Sequence, residues 1–551
     1  NAKPSAALKL VIYMLLGLGS LLVGALSPSC PPTCQCYDTS KVFCSSERMR
    51  EIPEGLPGSA THLFFVETAL SSIHRGNLGP STTLTKLVFI NNNIQELEAA
   101  AFQGLPSLTE LEVSGNPLPA VSLGVLAGLT SLSKLSLTTN AIRTLQPGLF
   151  TGSCSLQDLS LSRNRIEALP PGIFHPLRQL QALDLSQNAL AELPDGLLAP
   201  LVALRVLKLS DNLLARVPPG AFRALGQLTE LHLDGNRLEE LPSGIFSGLA
   251  SGLGGLRRLH LQHNALGSLA PDIFTGLLNL TVLSLEGNSL ATVPAILFAG
   301  TPGLLRLSLA RNQLETLPQE LFANLSVLET LALSHNAMGH LPAGVFQGLA
   351  GLTELQLSHN NLLPAGLLAG LPLLTALLLD HTRLARLPAG LFDHNEELVR
   401  VGLSDNPWLC DCRLSYLLNW LQSFAEPLIH GQAFCAGPAA LQGQSLLEVS
   451  RGQLQCPGAH GVPPEEGWDT DAPGQCTYSS PEGAVSVACN ATSCQRLSLR
   501  LPPPGQQRGS APAAYRGAWV LRSRCGTLQV SVLVTAQSGN ETTSPAVPTV
   551  P

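Results

Sequence analysis

Two cysteines, Cys410 and Cys412, stand one residue apart in NPWLCDCRLSYLLNWL, residues 406–421. Closely spaced thiolates can ligate zinc, cycle as a redox pair or form structural disulfides. Zinc sites favour ligands two to four residues apart, redox pairs favour C-x-x-C, and the sequence contains no C-x-x-C. Because extracellular chains oxidise their cysteines, disulfides are the favoured interpretation and a metal site is the alternative.

Twelve of the 13 cysteines fall into three groups of four. Two disulfides are predicted in each group, and spacing alone allows three pairings within each of the first two. The thirteenth, Cys154, lies between Phe150 and Leu156, and this position predicts a buried free thiol rather than a reactive one. The groups are Cys30, Cys34, Cys36 and Cys44; Cys410, Cys412, Cys435 and Cys456; and Cys476, Cys489, Cys494 and Cys525.

His394 and Glu397 form H-x-x-E, the spacing of a zinc carboxypeptidase pair. On the order of one such match is expected by chance in a chain of this composition. Only His430 and His460 follow as third ligands, and no HExxH, GxSxG or phosphate-binding glycine loop is present. The sequence therefore predicts no catalytic residue, no metal site and no cofactor in this chain.

His335, His359 and His381 directly precede the recurring Asn or Thr of three successive sequence repeats. Parallel strands lie about 4.8 Å apart, so the three rings are predicted to be neighbours on one face of a sheet. A solvated polar stripe, a partner-binding surface and a metal site are the alternatives. If a partner binds there, mutual opposition to protonation would make the contact pH-sensitive.

The elements that position these side chains are repeats of the pattern LxxLxLxxNxL, as in LTKLVFINNNI and LQDLSLSRNRI. Thr68 and Thr382 replace the Asn in two of fifteen slots. They should be weaker links between repeats, because a hydroxyl offers fewer hydrogen-bond donors than an amide. The Asn slots are Asn92, Asn116, Asn140, Asn164, Asn188, Asn212, Asn236, Asn264, Asn288, Asn312, Asn336, Asn360 and Asn406.

This pattern is typical of leucine-rich repeats, in which each LxL segment forms a short strand and parallel strands stack into an arc. The predicted fold is an α/β solenoid with its strands on the concave face. In the back half of most units, one position is phenylalanine, and these positions form a column along the solenoid. A buried spine is the favoured interpretation of this column, and an exposed recognition stripe is the alternative. The column comprises Phe102, Phe150, Phe174, Phe222, Phe246, Phe274, Phe298, Phe322, Phe346 and Phe392, with Leu at 126, 198 and 368.

Two units are irregular: four extra residues follow Phe246, and the unit after Asn360 is two residues short. Outer-loop changes and a local change in curvature are both open interpretations. At the first two strands, Phe64, Val66, Val88 and Ile90 should face the concave side. Either the N-terminal cap covers them, or they form an exposed apolar docking patch.

Bulk properties exclude a nucleic-acid-binding protein, since 32 Lys and Arg face 39 Asp and Glu and the formal charge is -7. Residues 10–26 form a short apolar run behind two lysines, which favours a secretory signal peptide over an uncleaved anchor. The mature chain is expected to be secreted, without contact to membranes. Glycosylation is expected at most of the four sequons, Asn279, Asn324, Asn490 and Asn540.

The predicted domains are a signal peptide (1–27), an N-terminal cysteine-rich cap (28–60), about 15 repeats (61–406), a C-terminal cysteine-rich cap (407–457) and a small tail domain (458–551). Leu414, Leu417, Leu418 and Leu421 have helical spacing and predict a helix that covers the last repeat. Alternating runs such as TLQVSVLVTA predict a β-rich tail with two further disulfides.

The stretches THLFFVETALSSI, FCAGPAALQGQ, QCTYSSPEGAVSVAC and LRSRCGTLQVSV resemble the large, non-catalytic subunits of carboxypeptidase N, from the first cap through the tail. By resemblance to other extracellular repeat flanks, the cap pairs are Cys30–Cys36, Cys34–Cys44, Cys410–Cys435 and Cys412–Cys456. The resemblance implies a plasma glycoprotein that stabilises a separate zinc carboxypeptidase, which removes C-terminal Arg or Lys, in a two-plus-two assembly. Zinc would belong to that partner. An adhesion or receptor ectodomain of the same fold is the alternative.

Overall fold

The computed structural model describes residues 30–37, 40–249, 255–342, 344–361, 367–368, 370–423 and 432–456, and the backbone of 429–430 and of five strands between 476 and 535. The chain divides into two compact units, Asn1–Gly458 and Ala459–Pro551. The predicted signal peptide lies outside the described residues.

Most strands of the first unit are three residues long, because each repeat contributes one LxL segment between two turns. In chain order they are β1 Cys34–Cys36, β2 Lys41–Cys44, β3 His62–Val66, β4 Ser72–Ile73, β5 Lys86–Ile90, β6 Glu96–Leu97, β7 Glu110–Ser114, β8 Lys134–Ser136, β9 Asp158–Ser160, β10 Ala182–Asp184, β11 Val206–Lys208, β12 Glu230–His232, β13 Arg258–His260, β14 Val282–Ser284, β15 Arg306–Ser308, β16 Thr330–Ala332, β17 Glu354–Gln356, β18 Ala376–Leu378, β19 Arg400–Gly402, β20 Trp408–Leu409, β21 Ile429–His430 and β22 Cys435–Gly437.

Among the described residues, 18 of these strands form one sheet. Strand β1 pairs with β2 in the antiparallel sense, and from β2 onward the neighbours are parallel through β3, β5, β7 to β19 and β21. Fifteen of them, β3, β5 and β7 to β19, correspond to the fifteen predicted repeats. The predicted parallel-strand solenoid is confirmed.

The recurring asparagine ties each repeat to the one before it. At Asn212, Nδ2 donates to the carbonyl of Leu185 in the preceding repeat at 3.0 Å and to that of Leu209 at 3.1 Å. Its Oδ1 accepts from the backbone N–H of Leu190 at 3.1 Å. The amide therefore satisfies backbone groups that the turns leave without ladder partners. The same pattern recurs along the column.

The two threonines in this slot make fewer links. The Thr382 hydroxyl oxygen lies 2.8 Å from the Leu379 carbonyl and 3.0 Å from Asn406 Oδ1, and its single proton serves one of these acceptors at a time. The Thr68 hydroxyl donates to Asn92 Oδ1 at 2.6 Å. A hydroxyl has one proton where an amide has two, so the weaker link at both positions stays a prediction.

The phenylalanine column is a buried spine, as predicted. All ten side chains are at most 2% exposed, and neighbouring rings from Phe222 to Phe346 are stacked at centroid distances of 6.2–6.3 Å. Leu126, Leu198 and Leu368 fill the same slot and are also buried. The spine fills the space between the sheet and the outer turns.

The irregular repeats leave the strand side of the solenoid continuous. Asn264, which follows the four extra residues, still donates to Leu233 at 3.0 Å and accepts from Leu238 at 3.1 Å. Strand β17 pairs in register with β18 across the short unit. Residues 250–254, in the segment that carries the four extra residues, and residues 362–366 of the short unit lie outside the described residues.

Both caps contain the disulfide pairs that the resemblance implied: Cys30–Cys36, Cys34–Cys44, Cys410–Cys435 and Cys412–Cys456. Helix α1, Ser415–Gln422, follows the 3-10 turn Cys412–Leu414 and buries Leu417, Leu418 and Leu421. Further 3-10 turns span Ser247–Leu249 and Arg451–Gln453. Cys410 and Cys412 thus fix the start of a helix that closes the apolar core.

The second unit contains strands β23 Cys476–Ser479, β24 Val485–Ala491, β25 Cys494–Leu501, β26 Ala514–Ser523 and β27 Gly526–Thr535. Strands β23 to β25 form one antiparallel sheet, and β26 pairs with β27. The alternating runs predicted as strands are therefore strands. Cys476 and Cys489 are register partners, whereas the predicted tail disulfides lie outside the described side chains.

Candidate protein-binding surface

The concave face carries the candidate residues, because the strand positions between the buried leucines point away from the core. The residue before each recurring Asn or Thr also lies there, in the left-handed region, with φ of 57° at His335, 58° at His359 and 55° at His381. A side chain in this slot comes next to the equivalent side chain of the neighbouring repeat.

His335, His359 and His381 form what we call the histidine stack. Ring centroids lie 3.9 Å apart between His335 and His359 and 4.2 Å apart between His359 and His381, with interplanar angles of 15° and 12°. The predicted juxtaposition of the three rings is confirmed. Their role in partner binding stays a prediction.

Charged groups stand at both ends of the histidine stack. Nε of Arg311 lies 3.3 Å from Glu286 Oε1 at one end, and Nε2 of His381 lies 3.4 Å from Asp405 Oδ2 at the other. Burial, then the neighbouring ring, then Arg311 lower the pKa of both His335 and His359. These influences favour the neutral form of the His335 and His359 rings.

The stack borders a shallow depression of about 410 Å³ on the concave face. Asp380 lies in it, and its Oδ1 accepts from the backbone N–H of Ser404 at 2.9 Å, while the Ser358 hydroxyl approaches Oδ2 at 3.4 Å. A Cβ atom at Gly402 would collide with this carboxylate, so the glycine leaves the space that Asp380 occupies.

A second histidine pair lies on strands β12 and β13. His232 and His260 are register partners whose rings stack at 4.3 Å. His232 Nε2 lies 2.6 Å from Glu230 Oε1, and its Nδ1 lies 3.6 Å from Asp234 Oδ1. Sequence reasoning missed this pair because the four extra residues separate the two histidines by 28 positions instead of 24.

The two rings of this pair have opposite pKa shifts. Burial, the largest influence on His232, disfavours the charged ring, but hydrogen bonds to Asp234 and Glu230 outweigh it and raise its pKa. Burial and the charge of His232 lower the pKa of His260. His232 is therefore the ring of the pair that gains a proton first as the pH falls.

We expect His232 to titrate at a higher pH than His260 in histidine-detected NMR spectra. A raised folded-state pKa contributes stability below the unfolded value of about 6.5, and this contribution is lost as pH rises through the folded pKa. His232→Gln should therefore destabilise the protein more at pH 6 than at pH 8 in urea unfolding. An equal loss at the two pH values would contradict the assignment.

The apolar patch on the first two repeat strands extends into the N-terminal cap. Phe43 of β2 is in register with Phe64 of β3, and their rings stack at 4.2 Å. Tyr37, which is 59% exposed, packs edge-on against Phe43 at 5.3 Å. The cap thus extends the apolar row instead of covering it. Sequence reasoning missed Tyr37 and Phe43, because they precede the first repeat.

Phe64, Val66 and Ile90 are half-buried and remain candidates for partner contact. Val88 lies on the same face, as expected, but its choice as a contact residue is wrong, because its side chain is only 2% exposed. Its register partners are Phe64 and Glu112, whose longer side chains flank it on the two neighbouring strands.

The prediction that Cys154 is buried is also wrong: the thiol is free and exposed. Ser153, which is 3% exposed, takes the inward position between Phe150 and Leu156. Within the described residues, no group of three or more His, Cys, Asp or Glu side chains could hold a metal ion. No helix there has the length and apolar character that a bilayer crossing requires.

The sequence profile described as "Leucine rich repeat" matches overlapping windows that together cover just over half of the chain. They are residues 62–118, 82–142, 130–190, 178–238, 254–314 and 302–362. The chain belongs to the leucine-rich repeat family. The fifteen stacked strands described above are the structural expression of these repeats.

Among curated leucine-rich repeat relatives, human carboxypeptidase N subunit 2 is 42% identical over 159 residues, which are 26% of this chain and 29% of that protein. Mouse carboxypeptidase N subunit 2 is 42% identical over 160 residues, 25% of this chain and 29% of that protein. The similarity therefore spans less than a third of either relative. Mouse SLIT and NTRK-like protein 5 is 29% identical over 121 residues, 21% of this chain and 12% of that protein.

Solved structures show the same fold. A chain of the Drosophila Toll–Spatzle complex superimposes with a TM-score of 0.60 at 22% identity, over 81% of this chain and 66% of that one. A chain of the LRIM1/APL1C complex gives a TM-score of 0.55 at 25% identity, over 71% of this chain and 66% of that one.

Proposed function

We propose that this leucine-rich repeat chain is the non-catalytic subunit of a secreted carboxypeptidase complex. It binds and stabilises a separate zinc carboxypeptidase that removes C-terminal Arg or Lys from peptides in plasma. Zinc and catalysis belong to that partner, and the assembly contains two copies of each subunit. The observation that carries this proposal is the 42% identity to carboxypeptidase N subunit 2 over 159 residues.

The concave face supports a folded protein as the partner. Fifteen strands at about 4.8 Å give an arc of about 70 Å, which suits a protein surface better than a small molecule. Along this arc the exposed side chains change from the apolar patch around Phe43 and Phe64 to the histidine stack and its charged neighbours. A face with an apolar end and a charged end can fix both the position and the orientation of a partner.

Capture from plasma tests the proposal. The full chain, immobilised and incubated with plasma, should retain an activity that releases C-terminal Lys or Arg and that a zinc chelator abolishes. The recombinant chain alone should lack this activity. Capture of proteins without the activity would favour the adhesion or receptor alternative, and activity of the pure chain would refute the non-catalytic role. Light scattering of the eluted complex tests the two-plus-two assembly.

Two matched variants test which face binds. Phe64→Glu places a charge in the apolar patch, whereas Ile296→Glu places one on an apolar side chain in the outer turn that follows β14, where Ile296 is 62% exposed. We expect Phe64→Glu to reduce capture of the carboxypeptidase activity at least tenfold, because an interface core rarely tolerates an unpaired charge. Ile296→Glu should leave capture unchanged. The reverse pattern would place the contact on the convex side.

Secretion and glycosylation complete the proposal. The sequon residues Asn279 and Asn324 are exposed and precede their strands, so glycans there would leave the concave face free. The side chain of Asn490 and the whole of Asn540 lie outside what the structure describes. Peptide mapping of the secreted chain after glycosidase treatment reports which of the four sites carry glycans.

A further inference from the structure

The net charge of the histidine stack and its charged neighbours changes sign with pH. The carboxylates of Glu286, Asp380 and Asp405 and the guanidinium of Arg311 are the charged groups that act on the three rings. With neutral rings, three negative charges and one positive charge leave an excess of two negative charges. With three protonated rings, the same group carries an excess of one positive charge.

The carboxylates are positioned before any partner arrives. Asp380 accepts a hydrogen bond from the Ser404 N–H and faces the Ser358 hydroxyl. Asp405 lies against His381 at the other end of the stack, and these two side chains are 64% and 46% exposed, respectively. Neutral imidazole also offers a lone pair to a donor. The depression therefore presents fixed acceptors and a negative excess, which suit a Lys or Arg side chain.

We propose that the depression beside the histidine stack receives a cationic side chain of the protein partner, and that acidification releases this contact. The inference rests on one part of the proposed function, namely that a protein partner docks on the concave face. Protonation would place like charges in rings 3.9 and 4.2 Å apart, next to Arg311. A bound cation adds another like charge, so binding and protonation oppose each other.

The second histidine pair should behave differently. His232 lies between Glu230 and Asp234, which stabilise its proton and offset its charge. A variant of this pair is therefore a matched control for histidine content. Glutamine is the suitable replacement in the stack, because Gln187 occupies the same slot with a φ of 55°.

Affinity of the full chain for the carboxypeptidase captured from plasma should weaken about tenfold between pH 7.4 and pH 5.5, as expected when about one proton must be released on binding. The triple variant His335→Gln, His359→Gln, His381→Gln should lose most of this pH dependence, and His232→Gln should keep it. Circular dichroism at both pH values verifies that each protein remains folded. An unchanged pH dependence in the triple variant, or tighter binding at pH 5.5, would overturn the inference.

A probe without the carboxypeptidase separates this inference from the proposed function. At pH 7.4 a hexa-arginine peptide should bind the full chain more weakly after Asp380→Asn, while Glu192→Gln, an exposed control in an outer turn, should have no effect. Hexa-glutamate, used as the probe in place of hexa-arginine, should not bind. If the Asp380 variant binds hexa-arginine like the wild type, the cation site is refuted even where the carboxypeptidase is captured.

Discussion

Phe274→Ala should lower the free energy of unfolding by about 4 kcal/mol, the loss typical of a deleted buried aromatic side chain. Phe274 is fully buried, and its ring stacks between Phe246 at 6.2 Å and Phe298 at 6.3 Å. The cavity would therefore open into three consecutive repeats. Urea unfolding measures the loss.

Phe274→Leu is the matched control, because leucine occupies this slot at 126, 198 and 368. It should cost only about 1–2 kcal/mol, since most of the buried volume is kept. In a solenoid each repeat contacts its neighbours, so hydrogen exchange should increase mainly in the repeats around Phe274. Equal losses for Ala and Leu would contradict the role of the ring in filling the spine.

Asn212→Ala should lower the free energy of unfolding by about 3 kcal/mol, because it leaves several buried backbone groups without a partner at about 1–3 kcal/mol each. The Leu190 N–H and the carbonyls of Leu185 and Leu209 lose their bonds to the amide. Asn212 is 4% exposed, so water does not readily replace it. Thermal unfolding and urea unfolding both report the loss.

Asn212→Thr is the matched control for this prediction. Thr382 shows that a hydroxyl in the slot can still serve the carbonyl of its own turn. The Thr variant should therefore lose less stability than the Ala variant, and Glu192→Ala on the outer surface should lose almost none. A Thr variant as unstable as the Ala variant would mean that the bonds of the amide to the preceding repeat, at the Leu185 carbonyl and the Leu190 N–H, dominate.

Much of the candidate surface was readable from the sequence because a repeat fixes the position of each slot. The juxtaposition of His335, His359 and His381 follows from their shared place before the recurring residue, and the structure confirms it. His232 and His260 share another slot, the last residue of β12 and β13, but the four extra residues hide this pair from a search at a constant period. Register, and not distance along the chain, brings these rings together.

Burial at single positions was less readable, since it depends on neighbours from other repeats. Val88 alternates like an outward-facing residue, yet the flanking strands bury it. Cys154 was misjudged for a different reason: Ser153, and not Cys154, lies three residues after the spine residue, in the slot that Leu105 and Leu177 fill and bury in neighbouring repeats. The repeat itself therefore marks Cys154 as the outward neighbour of a buried position.

By itself the sequence determined the solenoid, its fifteen strands, the buried phenylalanine spine and the capped ends, because each follows from a short pattern that must bury leucines and satisfy backbone groups in every unit. Only the tertiary structure decided that the cap prolongs the apolar row through Phe43, that Gly402 leaves space for Asp380, and that charged groups surround the histidine stack. These contacts join residues from different repeats, and their geometry is set by the packing of the whole arc.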